Sequence, residues 1–272
     1  MKLILSGSTG LVGREVIRQA LLNPGITSVI ALTRRPIDVA AIVASTSRAE
    51  IEKGLGTSKE LDTAKVKSVL LKDFTAYNEE VKKELADADA CIWTLALTPM
   101  RSKQHPWDEV VRITKGYCMA GMQAIADARR AAGKTNEFRF VYVSANGISP
   151  DMKRPLMLGD YMLMRVSIRQ ILSSIAANDN GQADVEKSIR GFTAEHAESG
   201  WKACIVKPGL ISGFTGLVGT LKNAAITAFG FVGNTVGADE IARAMLKQCV
   251  DGLEKETLEN LDLVRLGRDG KS

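Results

Sequence analysis

The stretch "KLILSGSTGLVG", residues 2–13, decides how this chain folds. It opens with a short apolar run, "KLILS", and breaks at once into glycines at positions 7, 10 and 13. Beyond the break, Val12, Val16, Ile17, Ala20 and Leu21 recur at the spacing of one helix face. A strand that turns through glycines directly into a helix begins a β-α-β unit. In that setting each glycine has a separate use. Gly7 permits a tight turn, Gly10 lets a ligand approach the backbone, and Gly13 lets the helix lie close against the strand.

The same alternation continues outward. Asn23-Pro24-Gly25 stops the first helix, and "SVIALT" (28–33) reads as the second strand. Further strands are read at "VKSVLL" (66–71), within "ADACIWTLAL" (88–97), at "FRFVYVSA" (138–145) and at "KACIVKPG" (202–209). Helical patterns fill 107–132, 159–177, 182–199 and 237–251. Strands without a polar face, separated by helices, require a mainly parallel sheet covered on both sides. Right-handed crossovers then make it doubly wound, an α/β fold of Rossmann type. No internal repeat or low-complexity linker divides the chain, so 1–272 is read as one domain. Segments of about 145–165 and 208–238 form its substrate side. The charged connection from 36 to 65 reads as a helix plus an exposed mobile loop.

Composition excludes several classes of function. The net charge of +5 comes from 36 basic and 31 acidic residues that are scattered, and aromatic residues make up only 5%. That is not the footprint of a nucleic-acid binder. Cys91, Cys118, Cys204 and Cys249 form no C-x-x-C pair, and each lies in an apolar pattern suited to a reduced, buried thiol of a cytoplasmic protein. With His105 and His196 far apart and no ligand spacing, no metal site is expected. The N-terminal apolar run is too short for a secretory signal. Residues 208–238 carry Lys222 as their only Lys or Arg, but their glycines argue against a membrane-spanning helix.

The glycine turn would place Gly7, Ser8, Thr9, Gly10, Leu11, Val12 and Gly13 against a pyrophosphate, which the positive end of the helix favours. The second strand ends in Thr33-Arg34-Arg35-Pro36, where a carboxylate for a ribose 2′-hydroxyl would stand in an NAD site. Two guanidiniums suit a 2′-phosphate instead, which points to NADP in preference to NAD. Asp73 and Phe74, at the end of the third strand, are placed at the adenine; the carboxylate of Asp73 serves equally as a helix cap. Leu95 and Ala96 would run beneath the cofactor.

Taken together, "GSTGLVG", "TRRP", "KDF", "VYVSANG", "GDYMLMR" and "VKPGLISG" resemble, in order and spacing, the short-chain dehydrogenase/reductase superfamily. The likeness is greatest to its atypical or extended branch, with NmrA-like and sugar-nucleotide-epimerase-like members, and it covers nearly the whole chain. The resemblance implies a catalytic serine, tyrosine and lysine. The serine matches Ser144 and the tyrosine Tyr161, while the lysine position holds Arg165. By the resemblance Tyr161 exchanges a proton with the substrate oxygen, Ser144 holds that oxygen, and residue 165 lowers the tyrosine pKa. Pro208 matches a turn near the nicotinamide. Arg165 shares a helix face with Tyr161 and keeps a positive charge beside it. It does not keep a proton-relaying ammonium.

The expectation is an NADP-dependent oxidoreductase acting on a carbonyl or alkene of a small, rather apolar metabolite, possible as a homo-oligomer. Two other readings stay open. One is a redox-neutral isomerase, dehydratase or cyclase that uses Tyr161. The other is a non-catalytic regulator that senses dinucleotides.

Overall fold

The computed structural model describes residues 1–55, 60–97, 99–102, 104–144, 185–213 and 235–268. Its centre is a seven-stranded parallel sheet. The strands are β1 (Lys2–Ser6), β2 (Ser28–Thr33), β3 (Val66–Leu70), β4 (Ala90–Trp93), β5 (Phe138–Val143), β6 (Trp201–Lys207) and, later in the chain, β9 (Thr257–Glu259). Their spatial order is β3-β2-β1-β4-β5-β6-β9. The order reverses direction between β1 and β4, and this is the switch point where a doubly wound sheet opens a crevice beyond its strand ends. A separate parallel pair joins β7 (Leu210–Ser212) to β8 (Thr235–Gly237).

Alternation along each strand divides the core into two layers. Leu3, Leu5, Val29, Ala90, Ile92, Val141, Cys204 and Val206 face one layer. There they meet α1 (Leu11–Leu22), α9 (Ala238–Asp251) and α10 (Asn260–Arg268). The intervening residues Ile4, Ile30, Leu32, Cys91, Trp93, Phe140, Tyr142 and Ile205 face the other. Against them pack α4 (Glu79–Leu85), α7 (Tyr117–Ala131) and α8 (Val185–Glu195). Two faces to cover is the physical reason the strands carry no polar stripe.

The expected helix over 107–132 is α6 (Trp107–Val111), a π-helical turn (Arg112–Gly116) and α7. The connection from 36 to 65 holds two short helices, α2 (Val39–Ala44) and α3 (Arg48–Leu55), rather than one. Arg18 of α1 bonds to Glu15 and to Glu50, so α3 is tied to the domain by charge. The helical pattern read at 159–177 lies outside the described residues. Strand β9 and helix α10 were not legible in the sequence, because three residues of strand leading into nine of helix make too short a periodic signal.

Arg129 closes the far end of the sheet. It is buried, donates to the carbonyls of Ala88 and Asn136, and its guanidinium lies 4.8 Å from the centre of the Phe138 ring. It thereby satisfies the chain just before β4 and β5 begin, and leaves the opposite, carboxyl ends of those strands as the open side.

Candidate active site

The turn between β1 and α1 is pressed against β4. Gly7 has φ +74°, and a side chain on it would meet Thr94 Oγ1 at 2.3 Å. Thr94 in turn donates to the carbonyl of Ser6 at 2.7 Å. Gly13 lies over the same turn, so that a Cβ there would come within 2.2 Å of the Gly7 carbonyl oxygen. That oxygen accepts from the Gly10 amide at 2.9 Å. No side chain caps α1 at Gly10, and no carboxylate stands in its first turn. The first amides of the helix therefore face outward at a positive dipole end. Beside them Ser8 is 1% exposed, and its hydroxyl has no hydrogen-bond partner among the described residues. A buried, unsatisfied hydroxyl beside open helix amides suits an anionic ligand that accepts from both. Thr9 and Gly10 are exposed, Leu11 is half-buried, and Val12 belongs to the core. These residues fit the pyrophosphate of a dinucleotide.

At the end of β2 the Thr33 hydroxyl donates to the Arg35 carbonyl at 2.7 Å and bends the chain, leaving Arg34 and Arg35 exposed. Asp73 and Phe74 lie in a turn beyond β3 rather than within it. Asp73 Oδ1 accepts from the amide and hydroxyl of Thr75, at 2.9 and 2.8 Å. Those bonds hold the carboxyl below its ordinary range. The Phe74 ring is buried and stacks on Tyr117 with centroids 5.5 Å apart. Only the backbone of Phe74 is left to face a ligand. Leu95 and Ala96 follow β4, half-buried, with the Leu95 carbonyl accepting from the Trp93 indole at 3.2 Å. Pro208 is buried just past β6.

Ser144 stands one residue past β5, 3% exposed, with its amide on the Val206 carbonyl at 2.8 Å. Its hydroxyl donates to Glu186 Oε1 at 2.6 Å. The other carboxylate oxygen of Glu186 is 3.1 Å from Lys207 Nζ, an ion pair with both side chains shielded from solvent. Tyr161 and Arg165 lie outside the described residues, so the structure brings Ser144 to Glu186 and Lys207 and leaves its relation to them untested. The Gly209 amide donates to Asn260 Oδ1 at 2.7 Å, which fastens the turn after β6 to the start of α10.

Sequence reasoning missed Glu186, Lys207 and Asn260. For Glu186 a signal existed: it sits three residues before Ile189 on the stripe of Val185, Ile189 and Phe192, a charge where helical spacing asks for an apolar residue. Thr114 was missed too. It is fully buried in the π-helical turn, its hydroxyl has no partner among the described residues, and such turns are frequent at functional sites. Among the described residues no group of three or more His, Cys, Asp or Glu could hold a metal ion, and no helix is long and apolar enough to cross a membrane.

No family model and no curated protein matches the sequence. Solved structures do match the fold. The reductase domain of PhqB from Penicillium fellutanum superposes with a TM-score of 0.54 at 16% identity, over 94% of this chain and 65% of that one. DesIV, a dTDP-glucose 4,6-dehydratase from Streptomyces venezuelae solved with NAD and TYD, gives 0.54 at 16% identity over 99% of this chain and 80% of its own. A metagenomic short-chain oxidoreductase in complex with NADP gives 0.53 at 13% identity, over 95% of this chain and 96% of its own.

Proposed function

We propose that the protein binds a nicotinamide dinucleotide across the β1–β4 switch point and acts as an oxidoreductase of the short-chain type. NADP is the preferred form, and the substrate is a small, rather apolar carbonyl or alkene compound. The observation that carries this reading is the turn from Gly7 to Gly13. Its backbone has no room for side chains at Gly7 and Gly13, and the buried Ser8 hydroxyl beside it waits for an acceptor. The structural relatives solved with NAD or NADP support the cofactor class.

In this reading the bound cofactor supplies or receives a hydride. The chain's own residues do the rest. Gly7–Gly13 hold the pyrophosphate, Arg34 and Arg35 meet the 2′-phosphate, and Tyr161 handles the proton at the substrate oxygen, with Arg165 keeping a positive charge nearby. Ser144 has one proton to donate, and in the ion-paired state of Glu186 that proton is committed to Glu186. Ser144 thus serves as a positioning residue, and donation to the substrate oxygen falls to Tyr161.

The hydrogen bond from Ser144 to Glu186 favours a second reading. With Ser144 engaged and arginine in the lysine position, Tyr161 could transfer protons without hydride transfer, in a redox-neutral enzyme. The deciding experiment follows nicotinamide absorbance and product formation together, using NADPH and a panel of small aldehydes, ketones and enones. Oxidation of NADPH that depends on the carbonyl supports the oxidoreductase. Product formed at constant absorbance supports the redox-neutral enzyme. Tyr161→Phe with full activity would remove Tyr161 from either mechanism.

A further inference from the structure

Beyond β3 the Phe74 ring turns inward and belongs to a row of aromatic groups. It meets the Trp93 indole of β4 edge-on, with centroids 6.3 Å apart, and stacks on Tyr117 with planes inclined by 26°. Phe74 and Trp93 both lie in the second core layer, so their rings meet on that side of β2 and β1, the strands that separate β3 from β4. The row continues to the surface. The guanidinium of Arg112 lies over the Tyr117 ring, 5.8 Å from its centre. Arg112 opens the π-helical turn, and its side chain is 53% exposed. Helix α7 ends beside Arg129, at the amino ends of β4 and β5, so its start and the turn before it lie at the carboxyl side of the sheet.

Two carboxylates attend the guanidinium. Glu109 lies 3.9 Å from it, a long pairing, and meets His105 Nδ1 at 3.1 Å through its other oxygen. The second is Asp73, whose carboxyl the amide and hydroxyl of Thr75 hold below the ordinary range, with the charge of Arg112 adding to them. Arg112 therefore stands beside the turn beyond β3. A guanidinium is planar and has two faces. Tyr117 covers one, and the half-exposed side chain leaves the other accessible. In a doubly wound sheet each half takes one mononucleotide, and Arg34 and Arg35 at the end of β2 assign the adenosine to the β1–β3 half. Adenine is the flat part of that half, and a cation gains by lying across its face, whereas a phosphate takes a guanidinium edge-on. We propose that Arg112 stacks the second face of its guanidinium on the adenine of the bound dinucleotide, extending the series Phe74–Tyr117–Arg112 by one layer. The inference rests on the dinucleotide reading above and supplies the contact to the base that the inward Phe74 ring does not make.

The test is direct titration of the full chain with two probes, NADPH and adenosine 2′,5′-bisphosphate, which carries the adenosine half alone. Arg112→Met removes the planar cation, and it should weaken both probes by about fivefold to tenfold. Arg112→Lys keeps the charge without the plane, and it should stay about threefold or more weaker than wild type. Both variants keep the apolar stem beside Tyr117, so a role limited to supporting the turn would survive in both. The deficit of Arg112→Met should also persist at about 0.5 M salt, where attraction between an exposed charge and a phosphate is screened.

Binding of both probes by Arg112→Met within about twofold of wild type overturns the inference while leaving cofactor binding intact. Wild-type affinity in Arg112→Lys, or a deficit of Arg112→Met that vanishes at high salt, makes Arg112 a charge facing phosphate and overturns the stacking. Wild-type protein that binds neither probe overturns the dinucleotide reading and the inference with it. Where only NADPH binds measurably, its affinities alone decide by the same limits.

Discussion

Two glycines in helices give opposite expectations for the same substitution, and the difference is set by tertiary contact alone. Glycine inside a helix costs about 1 kcal/mol relative to alanine, so helix propensity favours Gly13→Ala in α1 and Gly191→Ala in α8 by similar amounts. At Gly191 nothing among the described residues lies within 4 Å of an added Cβ. The full gain of about 0.5–1 kcal/mol is expected there, a rise in Tm of about 2 °C. At Gly13 the added Cβ meets Gly7 O at 2.2 Å, Gly7 C at 2.8 Å and Ser8 Cα at 2.9 Å. All three are backbone atoms of a turn already fastened to β4 through Thr94 and Ser6. Reaching ordinary contact would require α1 to retreat by roughly 1 Å or more.

Overpacking of this kind costs about 1–3 kcal/mol or more, and a rigid backbone target puts Gly13→Ala at the upper end. After the helical gain is subtracted, about 2 kcal/mol of destabilisation remains. In a domain of this size that is a fall in Tm of about 4–8 °C. Thermal melts of the two variants beside the wild type, followed by circular dichroism, measure both signs at once. A Gly13→Ala protein that melts at or above the wild-type temperature would refute the close helix–strand approach. It would also remove the physical basis for reading the turn as a phosphate cradle.

Four further outcomes are expected. Arg34→Ala should erase a preference for NADPH over NADH in direct titrations, and wild-type protein that binds the two equally would sink the 2′-phosphate assignment. Arg129→Met should cost about 3 kcal/mol in urea unfolding, since it strips the Ala88 and Asn136 carbonyls of a buried charged donor; Arg129→Lys, without the planar fork, should recover less than half of that loss. Ser144→Ala should cost about 1–3 kcal/mol, because Glu186 Oε1 then loses this donor in a buried site; stability equal to wild type would show that water replaces the hydroxyl. Lys202 and then Arg139 hold the Glu137 carboxyl below the usual carboxylate range. A depressed folded-state pKa contributes stability that is present at neutral pH and lost as pH falls through it. Lys202→Ala should therefore flatten the acid limb of stability below about pH 4 without changing stability near pH 9 beyond the small surface-pair term.

Much of the fold was legible because local sequence and tertiary role coincide in it. "KLILS" is apolar on both faces since the sheet is covered on both, and "GSTGLVG" has glycine at the two positions where a Cβ would strike backbone. Period, turn chemistry and strand order all follow from such near-neighbour constraints. The ends of the chain's logic were harder to read. Phe74 looked like a residue beside a ligand, yet its ring is core, because orientation in a turn depends on which neighbour offers a stacking face, here Tyr117. Strand β9 left no readable period, because three residues become a strand only when β6 offers its edge.

The sequence by itself determined the doubly wound sheet, the glycine turn and the pair of arginines after β2, all of which depend on residues close together in the chain. Only the tertiary structure decided that Ser144, Glu186 and Lys207 are one group. They stand 42 and 21 residues apart, and no spacing rule connects a serine, a helix carboxylate and a strand ammonium. What joins them is burial. Once β5, β6 and α8 close over that corner, a carboxylate and an ammonium deprived of water must find each other and every available hydrogen bond, and the hydroxyl of Ser144 supplies one.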